Sequence, residues 1–252
     1  MKISFIKKHY PGIISVIAML LLWKLLALYF NSALIVPHPE RTLITMLRLF
    51  TDVDFLGIAG STILRGTAGF IISALLGILI GIVSGIRPRF NAFFRPVLVT
   101  IRSVPVIALA LLALIWFRPG FVPVFIAMLT MFPFICTNVI DGIRSVDPGI
   151  VEMAKFYRVN HSRIIREVHI PAIMPFIISG ASSALGIGWR AIIIGEVLSQ
   201  PDYGIGTMMH AQQIYLNVDA VIAWTIIAVL ISYIFEKLIR LSERKLVSWK
   251  ET

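Results

Sequence analysis

The sequence predicts an all-α membrane protein with six transmembrane helices and both termini on the cytoplasmic side, and three observations carry that expectation. The first is composition. Of 252 residues 58% are hydrophobic and only 14% charged, with a mean hydropathy of +0.90, whereas soluble domains are about a quarter charged. The second is a set of six apolar runs, about 13–30, 62–86, 97–117, 121–141, 172–198 and 219–239, each bounded by charge or by Pro and Gly. The third is where Lys and Arg fall: three before the first run, four at 86–102, five at 142–170 and five in the tail, making 17, against Arg41, Arg48 and Arg118 in the opposite loops. Positively charged loops stay inside, so the termini and the 142–170 loop are assigned to the cytoplasm. Residues 1–252 read as a single transmembrane domain.

The same numbers exclude other classes. A net charge of +10 would suit a nucleic-acid binder, but the basic residues lie in short loops and not on a soluble face with stacking aromatics. Cys136 is alone, so neither a disulfide nor a cysteine metal site forms within the chain. Lys2, Lys7 and Lys8 before an apolar run imitate a secretory signal. That run is too long for one and lacks a small-residue cleavage site, so it reads as a retained first span.

After span one, the loop at 31–60 contains Pro37-His38-Pro39 and an amphipathic piece, 41–49, expected to lie along the membrane surface. Span two carries Gly77, Gly81 and Gly85, a spacing of four that lets two helix backbones approach closely. Arg65, near its outer end, is placed to snorkel or to face a cavity. Span three contains Pro96 and Pro105, and span four Pro123 and Pro133, so both should bend and pack against protein or water. Asn138, at the inner end of span four, is a candidate lining residue of a translocation path or a partner for neighbouring helices.

The polar stretch at 147–175 is too charged for lipid. Asp147-Pro148 is a helix start, since the Asp side chain accepts from first-turn amides and Pro at the first position has no amide to leave unpaired. Ile150, Val151, Met153, Ala154 and Tyr157 gather on one side of the resulting rod, with Glu152, Lys155 and Arg158 on the other. Asn160 is either a left-handed stop or the cap of a second short helix at 162–168, and Pro171 opens the next span.

Span five repeats the close-approach spacing at Gly180, Ala184 and Gly188, and then places Trp189, Arg190 and Glu196 inside the membrane. Ionisable residues there mark functional sites by default. Trp189, Arg190, Glu196 and Asn138 are therefore the candidate translocation path. Arg190 either faces a cavity that favours anions or pairs with another span. Six positions separate Arg190 from Glu196, nearly opposite on one helix, so each needs another partner or water. The turn-rich 199–217 segment, with Pro201-Asp202-Tyr203-Gly204-Ile205-Gly206, is a candidate external gate or docking face, and span six runs into the basic tail.

Glu152-Met153-Ala154 with Pro171 nineteen positions on resembles the EAA loop of the membrane subunits of bacterial ABC importers. Ser61, Arg65, Gly69, Gly77 and Gly81, the run at 102–117, RSVDP at 144–148 and GIGWRAIIIGEVL at 186–198 extend the resemblance over about 36–242, toward the nitrate, sulfonate and taurine branch. One departure is Arg158, which stands where the family usually has Gly; Asn160 tolerates positive φ and is a candidate to take over the bend. The resemblance implies a type I ABC importer permease fold in the bacterial cytoplasmic (inner) membrane. It also implies a pair of identical chains, two ATPase subunits holding ATP and Mg, and an extracytoplasmic substrate-binding protein. Glu152, Met153, Ala154, Lys155, Tyr157, Arg158, Asn160 and Pro171 would couple to the ATPase. The cargo it implies is nitrate, a sulfonate, taurine or a thiamine or pyrimidine precursor.

No GxxxxGK[ST] loop, HExxH or supported Ser/His/Asp set is present, so no catalytic residue, resident cofactor or metal ligand is assigned to this chain. A self-sufficient secondary transporter or channel would show an internal inverted repeat, and the 147–175 stretch has no counterpart in the first half.

Overall fold

Prolines set where most helices of this chain start and turn. The computed structural model describes residues 2–246, with side chains from 10 to 241. Lys250, counted with the basic tail, lies outside them. Eleven helices follow in order among the described residues: α1 Lys2–Phe30, α2 Pro39–Phe50, α3 Phe55–Ile86, α4 Pro88–Ser103, α5 Val106–Trp116, α6 Val122–Arg144, α7 Pro148–Phe156, α8 His161–Ile164, α9 Ile170–Ser199, α10 Ile205–Ile214 and α11 Val218–Leu246. Pro39, Pro88, Pro123 and Pro148 all sit in first turns, where a missing amide costs nothing. Two compact units form, Gly57–Thr207 with Val229–Thr252, and Met1–Leu56 with Met208–Ala228.

In the larger unit α6 is the central helix. Gly69, Gly77, Gly81 and Gly85 of α3 abut Ala127, Ile135, Val139 and Ile143 of α6 in the same order along both helices, so the two run the same way. A Cβ on Gly81 would lie 2.7 Å from Val139 Cβ, and one on Gly77 3.0 Å from Ile135 Cβ. The expected ladder is therefore a contact surface, because apolar helices in lipid associate by backbone proximity and not by hydrophobic contrast. Ser73 Oγ adds a polar tie, donating to Gly69 O at 2.7 Å and Met128 O at 2.9 Å. On another face of α6, Gly180, Gly188 and Gly195 of α9 meet Asn138, Met131 and Pro123, in reversed order, so α9 runs antiparallel. Ala127, Met131, Ile135 and Val139 of α6 close the core with Ala184, Leu185, Trp189 and Ile192 of α9.

The expected single span at 97–117 is two helices, α4 and α5, bent by 97°. The break lies at Pro105 and not at Pro96, which stays inside α4. Val104 is extended (φ −71°, ψ 128°), as a residue before proline prefers. Leu98 of α4 packs on Phe132, Cys136 and Ile140, while Ala110 and Ala113 of α5 pack on Val122, Ile126 and Ala191. Since α3 and α6 are parallel, the chain between them must return across the bundle, and the bent α4–α5 pair makes that crossing as a broken span. Among the described residues five helices are long and apolar enough to cross a membrane, and the bent pair counted as one span makes six.

The expected short helix at 162–168 does not stop before Pro171. His161–Ile164 passes through a π turn, Ile165–His169, directly into α9. Ile170 N donates to Ile165 O, five residues back, and this wider turn lets the helix continue past a proline that has no amide.

In the smaller unit, α2 realises the amphipathic piece expected at 41–49. Lys24 Nζ donates to Glu40 at 2.7 Å and Trp23 Nε1 to Pro37 O at 3.0 Å, which gives the lysine inside span one a partner. That hydrogen bond holds the exposed Glu40 carboxyl below the ordinary value of 4.5. Asp219 accepts from Thr45 Oγ1 at 2.8 Å and pairs with Arg41 at 3.4 Å.

Candidate functional site

The rod at 148–156 is built by local chemistry at both ends. Asp147 Oδ1 accepts from Gly149 N at 2.8 Å and Pro148 fills the first turn. At the other end Arg158 N donates to Lys155 O at 2.9 Å, and Val159 N to Ala154 O at 3.0 Å. This pair of bonds is a Schellman closure, and it requires a left-handed residue just past the helix. Arg158 takes that conformation itself, at φ 52°. The bend is thus not handed to Asn160, whose φ is −60° and whose side chain caps α8 by accepting from Ser162 N at 3.1 Å.

No residue of the rod is fully buried. Val151 and Ala154 are half-buried, whereas Ile150, Met153, Phe156 and Tyr157 stand in solvent, Phe156 at 83% exposure. Phe156 and Tyr157 meet edge to face at 5.7 Å. Glu152 and Lys155 are exposed beside them. An apolar strip on a charged rod is a candidate partner surface. The sequence reading missed Phe156, although a large aromatic in so polar a stretch was the available signal.

A second cluster joins α3, α9 and the 200–206 connection. Glu196 is completely buried. Its carboxylate accepts from Arg65 Nη1 at 2.7 Å, from Thr62 Oγ1 at 2.9 and 3.0 Å, and from Gly206 N at 2.9 Å. Arg65 Nη1 also donates to Tyr203 O at 2.6 Å, and Ile205 N to Thr62 Oγ1 at 2.9 Å. The carboxylate caps the first turn of α10 from a distance, where helix amides favour negative charge. Gly204 and Gly206 make room for it: a Cβ on Gly204 would lie 2.7 Å from Glu196 Cδ, and one on Gly206 2.6 Å from Ile193 O. Arg65 therefore neither snorkels nor stands alone in a cavity; it neutralises a buried charge 131 residues away in sequence.

The remaining expected path residues are placed differently from one another. Trp189 is 3% exposed, against Gly66 and stacked on Phe235 at 5.2 Å. Asn138 is half-buried where α6 crosses Gly180, and its Nδ2 donates to Phe134 O at 2.8 Å. Arg190 is exposed and makes no ion pair among the described residues. Among those residues no three His, Cys, Asp or Glu side chains gather as metal ligands.

Residues 73–248 match the model of the family described as binding-protein-dependent transport system inner membrane component. This chain belongs to that family. It is a multi-pass, non-catalytic membrane permease of an ABC importer. The system implies an ATPase and a binding protein as partners, and the family normally binds no cofactor. A Bacillus subtilis (strain 168) protein named for aliphatic sulfonates transport is 31% identical to the permease over 225 residues, covering 88% of this chain and 80% of that one. A taurine transport system permease of Escherichia coli (strain K12) is 25% identical over 233 residues, covering 90% and 84%. A bicarbonate transport system permease of Synechococcus elongatus is 29% identical over 203 residues, covering 76% and 72%. Among solved structures, an amino acid ABC transporter crystallised with histidines superposes at a TM-score of 0.59 and 18% identity, covering 81% of the permease and 96% of that chain. The MetNI methionine ABC transporter, inward facing, gives 0.54 at 18%, covering 75% and 90%. The permease has the fold of type I ABC importers.

Proposed function

We propose that this permease imports a small anion of the sulfonate, taurine or bicarbonate kind, as a homodimer with two ATPase subunits and an extracytoplasmic binding protein. One observation carries the coupling half of the reading: a capped rod with an exposed apolar strip (Ile150, Met153, Phe156, Tyr157) that leads through one uninterrupted helical segment, 161–199, into the span bearing Arg190 and Glu196. The strip docks on the ATPase. Both termini and the rod then lie in the cytoplasm, as the 17-to-3 distribution of Lys and Arg favours. Closure of the nucleotide-bound ATPase dimer moves the rod, and the stiff 161–199 segment transmits the motion to the permeation pathway as a two-state element. Glu152, Lys155 and Arg158 present charge to the partner beside the strip.

Support for an anionic cargo comes from the names of the relatives and from Arg190, an exposed cation that forms no ion pair among the described residues and shares its helix with Glu196 of the buried Arg65–Glu196 latch. We assign Arg190 to the pathway and Glu196 to the protein's own architecture, with Asn138 and Trp189 holding the helices that flank it. The test is ATP-dependent uptake of taurine and of bicarbonate by proteoliposomes containing the permease, its ATPase and its binding protein. Arg190→Gln should cut anion uptake at unchanged assembly. Unchanged uptake removes Arg190 from the pathway, and uptake without the ATPase refutes the whole scheme.

A further inference from the structure

At the end of α6 that leads into the rod, α4 and α6 enclose a recess of about 320 Å³ that the transport reading does not use. Asn91, Arg95, Leu98 and Arg102 form one stripe along α4, and Thr137, Ile140, Asp141 and Arg144 form the facing stripe on α6. The spacings of four, three and four on α4, and of three, one and three on α6, keep each set on one helix face. Leu98 and Ile140 are buried and make an apolar floor; Arg95, Arg102 and Arg144 are exposed residues around it.

The recess is electrically unbalanced. Three cations face one carboxylate, and Asp141 forms no ion pair with any of them among the described residues. Arg102 lies over the Phe134 ring at 4.9 Å, a contact that orients its planar fork without using its N–H donors. Each guanidinium offers up to five donors in a geometry matched to a planar or tetrahedral oxyanion. The volume is at the lower end of the range for ligand pockets.

The geometry points to a binding site for a phosphate- or sulfonate-type oxyanion in this recess, supplied either by the headgroup of an anionic lipid or by a free ion. It stands whether or not the cargo is an anion. The purified full-length permease is placed in nanodiscs of phosphatidylcholine alone or with phosphatidylglycerol. Phosphatidylglycerol retained after delipidation is read by native mass spectrometry, and inorganic phosphate is titrated against the lipid-free sites. The Arg95→Gln/Arg102→Gln/Arg144→Gln variant should lower binding by roughly tenfold or more, the scale of one lost charge-assisted contact. Asp141→Asn, a neutral near-isostere at an exposed position, should tighten it several-fold, and Arg118→Gln should leave it unchanged. Loss confined to the lipid arm identifies a headgroup as the source; loss confined to the phosphate arm identifies a free ion. The proposal is overturned if Asp141→Asn binds both probes as the wild type does, even where the triple variant is poorly folded, or if Arg118→Gln has the same effect as the triple variant.

Discussion

Replacing Arg65 with Met removes one cation and keeps a long, slender side chain in its place, which isolates the charge of the buried latch. Glu196 has 0% side-chain exposure and Arg65 15%, so water cannot restore the lost partner. The carboxylate would keep Thr62 Oγ1 and Gly206 N as donors but no counter-charge. Stranding a buried charge in this way costs roughly 3–5 kcal/mol, whereas a neutral interhelical hydrogen bond in a membrane averages only about 0.6 kcal/mol. The charge term therefore dominates. For a chain of this size the loss corresponds to a fall in Tm of roughly 6–20 °C, read by thermal unfolding of the full chain in detergent. Arg65→Met/Glu196→Gln removes both charges and should recover most of the loss, giving a coupling energy on the order of 2 kcal/mol or more in a double-mutant cycle. A loss below about 1 kcal/mol for Arg65→Met, or strict additivity in the double variant, would refute the claim that the latch is held by charge neutralisation.

Four further outcomes follow from other parts of the molecule. Arg158→Gly should stabilise by up to about 1.5 kcal/mol, since a left-handed L-residue costs about 1–2 kcal/mol and Gly loses about 0.5–1 kcal/mol in entropy; a lower melting temperature contradicts this. Gly81→Ala drives a Cβ against Val139 and should destabilise by about 1–3 kcal/mol, while Gly186→Ala, with nothing within 4 Å, should be neutral or stabilising in the same unfolding assay. Phe156→Ala should weaken ATPase binding by roughly tenfold or more without changing the melting temperature of the isolated permease, checked by a pull-down titration. The depressed Glu40 carboxyl contributes stability that is complete above its ordinary value of 4.5 and is lost as pH falls through its folded value. Glu40→Gln should accordingly flatten the acid side of the Tm profile, by a small amount because the pair is exposed.

Features set by neighbours in the chain were open to reading from residues alone. The six apolar runs, the Asp147-Pro148 helix start and the amphipathic α2 depend on composition, on a side chain reaching its own first turn, and on period. The glycine ladders were legible as close-approach surfaces, although the facing residues, Val139 for Gly81 and Asn138 for Gly180, were not. Features that depend on distant partners were hidden. Pro96 and Pro105 obey the same local rule, and only the opposed packing of Leu98 and of Ala110 with Ala113 selects Pro105 as the break. Arg158 turns left because the hydrogen bonds from Arg158 and Val159 close the rod there, despite a side chain that disfavours it.

The sequence by itself determined that this protein lives in a membrane, where its charges gather and where its rod begins, because each of these is a property of nearby residues and their solvent. The tertiary structure decided what the charges inside the membrane do. Arg65, Glu196 and Arg190 look alike as ionisable residues in apolar runs, yet the first two neutralise one another in a sealed cluster and the third stands exposed. Coulomb energy depends on separation and burial, and both are set by which helices meet.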